Sequence, residues 1–147
     1  MRPLITAWLL AWLLASPGAQ AVAATPEGLW RTEDRGGVIQ IEFCGAALCG
    51  RIVGMAEFAP DGSPPKDSTG RSMCGLEFIH ALTETSPGAW TGTITNPEDG
   101  RRYSARLSLD DQGQLHLRGY LVFSPLGSTQ IWTPYAGNVT AECWMEP

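Results

Sequence analysis

The sequence predicts an all-β fold, an eight-stranded antiparallel up-and-down barrel, and three observations carry that prediction. Short runs that alternate apolar and polar residues recur at roughly ten-residue spacing. Gly, Pro, Asn or Asp breaks the joins between them. No segment after the leader sustains a helical apolar period. Short turns at regular spacing favour a meander, and closing a meander removes its exposed edges.

The chain has 147 residues. Arg2 and the apolar run Leu4 to Ala15, broken by Ser16-Pro17-Gly18, read as a secretory signal peptide over residues 1–23. The run is short for a membrane span, and no later stretch is apolar enough for one. Residues 24–147, about 120 residues, then form a single barrel domain with room for one core.

Gly28-Leu29-Trp30 is a short first strand, and Glu33 to Gly37 a turn. Val38 to Cys44 places Ile39, Ile41 and Phe43 on one face, with Gln40 and Glu42 on the other. Cys49 to Met55 follows, with Gly50 and Gly54 expected on one face, where strand glycines mark a bend, a bulge or a close approach. Glu57 to Ser72 is too rich in Pro, Gly and Asp for a helix and reads as a long connection. Gly75 to Thr83 resumes strand character. The clearest stretch runs from Trp90 to Trp132: strands at Trp90–Thr95, Arg102–Leu109, Leu115–Leu121 and Gln130–Trp132. They are joined by turns at Asn96–Gly100, Asp110–Gly113 and Ser124–Gly127. Tyr135 to Trp144 is a tail with weak strand signals.

Charge and cysteine content narrow the function. The net charge is -5, and Lys66 is the one lysine. Removal of Arg2 makes the mature chain more acidic still. Phosphate-backbone binding needs clustered Lys and Arg, so nucleic acid is not an expected partner. Four cysteines in a secreted chain of this size read as two disulfides. Three pairings are possible. A hairpin brings Cys44 close to Cys49, leaving Cys74 and Cys143 as the second pair. No C-x-x-C pair occurs, and His80 and His116 lie away from the cysteines, so no metal is expected.

The order of motifs resembles a known family. Gly28-Leu29-Trp30, Cys44 through Cys49-Gly50-Arg51-Ile52-Val53 and Cys74-Gly75-Leu76 come first. Trp90-Thr91-Gly92-Thr93-Ile94, Asn96-Pro97-Glu98-Asp99-Gly100 and Tyr103 follow. Leu117-Arg118-Gly119-Tyr120 and Gly127-Ser128-Thr129-Gln130-Ile131-Trp132 close the series. Together they resemble the secreted bacterial family known as domain of unknown function 2147. The resemblance implies a lipocalin-like (calycin) barrel in the periplasm, with no established reaction. Lys66-Asp67-Ser68 looks like the family's Asp-containing loop, without the Asn-Pro pair that follows there.

Candidate ligand-binding residues are Trp30, Trp90, Tyr103, Arg118, Tyr120 and Trp132. The aromatics lie one per strand and either pack the core or line a cavity, with the core reading favoured. Trp30 and Trp132 are expected to close the base where first and last strands meet. Arg118 shares a face with His116 and Tyr120, opposite Leu115, Leu117, Gly119 and Leu121. It is solvated if the leucines point inward, and needs a buried partner if they do not. The family resemblance favours a third arrangement, with Arg118 across Trp30 as a cation–π contact closing one end.

No catalytic residues stand out. The cysteines are bridged, the histidines lack motif context, and Glu98-Asp99 and Asp110-Asp111 lie in turns where Asp has its own backbone role. The expected function is a periplasmic or secreted, non-enzymatic barrel, without cofactor, that binds a small apolar or amphipathic molecule. The alternative is an envelope protein-interaction or inhibitor module acting through the 57–72 loop. An enzyme acting on envelope polymers ranks third.

Overall fold

The structure, a computed structural model, describes residues 24–121 and 127–147. The expected leader over 1–23, and all but Gly127 of the expected turn at Ser124–Gly127, lie outside the described residues. The eight strands are β1 (Gly28–Arg31), β2 (Gly37–Cys44), β3 (Ala47–Met55), β4 (Glu77–Ser86), β5 (Ala89–Thr95), β6 (Arg102–Leu109), β7 (Leu115–Tyr120) and β8 (Ser128–Pro134). Each pairs antiparallel with the next, and β8 returns to β1 to close the barrel. The fold is the eight-stranded up-and-down barrel that alternation and turn spacing predict. The closing seam is short: Trp30 faces Pro134 and Arg31 faces Thr133.

Alternation sorts large apolar side chains into the barrel. Trp30, Ile39, Ile41, Leu48, Ile52, Ile79, Leu82, Trp90, Leu107, Leu115, Leu117 and Trp132 form one buried cluster. Its densest part lies toward the end carrying the β2–β3, β4–β5 and β6–β7 hairpins. Trp30 is 5 % exposed, and its indole Nε1 donates to the Pro26 carbonyl at 2.8 Å, so its one polar atom is satisfied at that base. Phe43 overhangs the end of the β2–β3 hairpin and stays exposed, although it alternates with Ile39 and Ile41.

Strand irregularities correct the simple period. Val38 faces Gly54 while Ile39 faces Ile52, so Val53 is an extra residue, a β-bulge. The bulge puts Gly50 and Gly54 on opposite faces. A Cβ at Gly50 would meet Ile79 Cδ1 inside at 2.7 Å, whereas one at Gly54 would meet Val139 Cγ1 in the C-terminal tail at 2.9 Å. The tail therefore packs outside β2 and β3, over a fully buried Val38. Gly92 behaves like Gly50, with Leu82 Cδ2 2.7 Å from where its Cβ would be. These two glycines admit β4 side chains rather than a ligand.

The tail and the long connection hold each other. Cys74 is bonded to Cys143, and Cys44 to Cys49 across the β2–β3 hairpin. The Phe58 and Trp144 rings stack with centroids 3.6 Å apart, and the Met55 amide donates to the Cys143 carbonyl at 2.7 Å. Within the 57–72 loop, Asp67 is the hub. Its Oδ1 accepts from the Thr69 amide and hydroxyl and the Arg71 amide, at 2.8, 2.7 and 2.9 Å. Its Oδ2 accepts from Arg71 Nε and Nη2 at 2.9 and 2.8 Å. The Ser68 amide donates to the Pro97 carbonyl at 2.8 Å, tying the loop to the β5–β6 turn. The Thr69 hydroxyl, with the Arg71 and Thr69 amides and the Arg71 guanidinium, holds the Asp67 carboxyl well below the usual carboxylate range, outweighing burial.

Trp30→Ala and Trp132→Ala should each destabilise by about 3–5 kcal/mol in urea unfolding, the cost of emptying a large core site. Peptide mapping without reductant should recover Cys44 linked to Cys49 and Cys74 linked to Cys143. Replacing the second pair by alanine should lower stability by about 4 kcal/mol, because that bridge closes a long loop. For Asp67, the folded carboxyl ionises below the unfolded value of about 3.9. Its stabilising contribution is complete above that value and is lost as pH falls through the depressed folded one. Between about pH 5 and pH 2, wild type should therefore lose more stability than Asp67→Asn.

Candidate functional site

At the end opposite the packed base, the barrel interior is open. A cavity of about 510 Å³ lies there, bounded by the β1–β2 turn, the Met55–Met73 side, the β5–β6 turn and the facing ends of β7 and β8. Its wall is apolar: Ile39 from β2, Ile52 and Met55 from β3, Phe78 from β4, Ile94 from β5 and Leu117 from β7. Trp132 forms its floor, 2 % exposed, with the Phe78 ring tilted against it at 6.4 Å. Small and polar residues take the inward positions nearer the mouth: Gly37, Gly119, Ser128 and Gln130. Among the described residues nothing large fills the interior at that level.

Polar groups of the wall are held from behind. Gln130 Oε1 accepts from Trp132 Nε1 at 2.8 Å. Tyr103 faces inward beside Ile94, and its hydroxyl donates to Asp99 Oδ2 at 3.4 Å. Asp34, on the β1–β2 turn, accepts from the Thr32 hydroxyl at 2.7 Å and the Gly36 amide at 2.9 Å. Those two donors, Thr32 first, hold the Asp34 carboxyl below its ordinary value, so it is ionised at neutral pH. Glu98, on the β5–β6 turn, lines the same mouth.

The structure divides the six residues singled out from the sequence. Tyr103 and Trp132 line the cavity. Trp30 and Trp90 belong to the buried cluster and not to the cavity wall. Arg118 and Tyr120 are on the outer surface, because Leu115, Leu117 and Gly119 take the inward positions of β7. Arg118 Nη1 donates to the Thr129 hydroxyl on β8 at 2.9 Å. The arrangement across Trp30 is thus replaced by an outward-facing contact between neighbouring strands, and alternation with the leucines is the reason. Sequence reading missed Ile39, Ile52, Phe78, Ile94, Leu117, Asp34 and Glu98 as wall or rim residues. The pairing of Tyr103 with Ile94 was the available signal, since directly paired residues share a face.

A smaller cleft of about 210 Å³ lies between the Asp67 loop, the start of β4 and the β5–β6 turn. His80 lines it, with Nε2 3.0 Å from the Thr95 hydroxyl and Nδ1 3.5 Å from Glu77. His116 Nε2 lies 2.8 Å from Asp110 Oδ2 on the outer surface. Among the described residues, no group of three or more His, Cys, Asp or Glu is placed to hold a metal ion, and no helix is long and apolar enough to cross a membrane.

Comparison with known proteins agrees with this geometry. No curated protein matches the chain. A solved structure, protein HP1028 from Helicobacter pylori, described as belonging to the lipocalin family, superposes with a TM-score of 0.62 at 18 % identity. The match covers 75 % of this chain and 82 % of that one, and it establishes a shared lipocalin-like fold. The family model for uncharacterized proteins conserved in bacteria (DUF2147) matches residues 28–134, from the start of β1 to the end of β8. The chain belongs to that family.

Proposed function

We propose that this protein is a non-enzymatic carrier or sensor of a small apolar or amphipathic molecule, working in the periplasm. The observation that carries this reading is the open end of the barrel, an apolar cavity of about 510 Å³ floored by Trp132 and Phe78. That volume falls within the range of about 300–1,000 Å³ usual for small-molecule sites. The likeness to a lipocalin-family barrel points the same way. Two disulfides suit an oxidising compartment. The histidines serve elsewhere, His80 beside Thr95 and His116 beside Asp110, which favours binding over acid–base chemistry in the cavity. The alternative role of the 57–72 loop as a partner contact has no observation in its favour, because Asp67 and Phe58 are engaged within the chain.

Native mass spectrometry of the protein isolated from its own periplasm should show a copurified small apolar mass. Ser128→Trp, which puts an indole at the cavity wall, should weaken binding of an apolar fluorescent probe about tenfold, one step of 1.4 kcal/mol. A bare chain together with no probe binding by wild type would overturn the reading.

A further inference from the structure

The apolar wall accounts for one part of a ligand, and the rim charges specify the other. Among the described residues, the charged groups lining the cavity are Asp34 and Glu98, both carboxylates, from turns on different sides of the mouth. Neither forms an ion pair with a described residue. Both hydrogen bonds to the Asp34 carboxylate, from the Thr32 hydroxyl and the Gly36 amide, go to Oδ1.

The remaining charges on these two turns do not cancel them. Glu33 accepts from the Ile131 amide at 3.3 Å. Asp99 accepts from the Arg101 amide at 2.8 Å, and the Arg101 guanidinium lies over the Tyr103 ring, 5.8 Å from its centroid. On these two turns Arg35 and Arg101 thus stand against Glu33, Asp34, Glu98 and Asp99, an acidic excess. An apolar recess behind an acidic rim repels an anionic head group and attracts a cationic one, at a distance where salt screening is partial.

From these positions we infer that the cavity selects amphiphiles with a cationic head, an alkyl amine or quaternary ammonium. The chain lies against Ile52, Phe78 and Trp132, and the head sits between Asp34 and Glu98. This inference rests on the carrier reading and names the class of ligand that the same cavity takes.

The test uses three probes of matched chain, decyltrimethylammonium, decanoate and decanol, each below its micellar concentration. Binding is followed by tryptophan fluorescence and by calorimetry at neutral pH. Decyltrimethylammonium should bind about tenfold more tightly than decanol, the scale of two exposed charge contacts, and decanoate more weakly than either. In Asp34→Asn/Glu98→Gln the advantage should shrink to about twofold or less, and in wild type it should fall as salt is raised. The asparagine keeps an acceptor for Thr32 and Gly36. Glu98→Gln alone, at a side chain outside those bonds, should remove part of the preference if the double variant does not fold. Equal binding of all three probes, or preference for decanoate, overturns the cationic assignment and leaves the carrier reading standing. A cationic preference that survives in the double variant also overturns it. Binding of none of the probes overturns both.

Discussion

The structure depends on an uneven filling of one set of inward positions. A closed eight-stranded barrel has a fixed interior, and each strand contributes every second residue to it. Near the base those positions hold Trp30, Leu48, Leu82, Trp90, Leu107 and Leu115, which pack to exclusion of water. Near the mouth they hold Gly37, Gly119, Ser128 and Gln130. The same rule of alternation therefore yields a hydrophobic core at one end and a cavity at the other. Trp132 belongs to both: its buried ring completes the core from below and is the cavity floor from above.

An end left unfilled contributes little burial energy, so stability has to come from elsewhere. The C-terminal tail supplies part of it on the outside of the barrel, where Val139 and Met145 approach Val38 and Gly54. Tyr135 adds a contact under the Arg31 guanidinium, 4.9 Å from its ring centroid, and its hydroxyl lies 3.0 Å from the Asn138 and Glu146 carbonyls. The Cys74–Cys143 bond and the Phe58–Trp144 stack join that tail to the long connection. The connection is fixed in turn by Asp67 and reaches the β5–β6 turn through Ser68 and Pro97. Rigidity at the mouth thus comes from its frame, and the space inside is not required to supply it.

The fold was legible in the sequence because alternation and turn residues are local signals. Ile39 and Ile41 could be placed together on one face from their neighbours alone, and both are buried. The misreadings have a common physical source, since each depended on a long-range fact. Gly54 was grouped with Gly50 because a bulge at Val53 leaves no mark in the residue pattern, yet one inserted residue reverses every face beyond it. Gly50 does mark a close approach, but that Ile79 of a neighbouring strand makes it is not written in the segment itself. Arg118 has two readings from its own segment and a third that the family resemblance favours, and the register of β7 against β6 and β8 decides among them. The aromatics were correctly placed on strands, but their depth along the barrel, which separates Trp30 from Tyr103, is a property of the stagger between strands.

The division between core and cavity also explains where polarity falls. A carboxylate buried at the base would need a partner for its charge, and the base has no room for one. At the mouth, turns already require Asp and Asn for backbone reasons: Asp34 holds the Gly36 amide, and Asn96 Oδ1 holds the Glu98 amide at 3.0 Å. Turn chemistry and rim charge are consequently inseparable here, because the residues that fold the β1–β2 and β5–β6 turns also set the potential at the opening. The barrel sets its packed core at one end and its polar rim at the other, with Ile39, Ile52, Leu117 and Trp132 common to the core and the cavity wall.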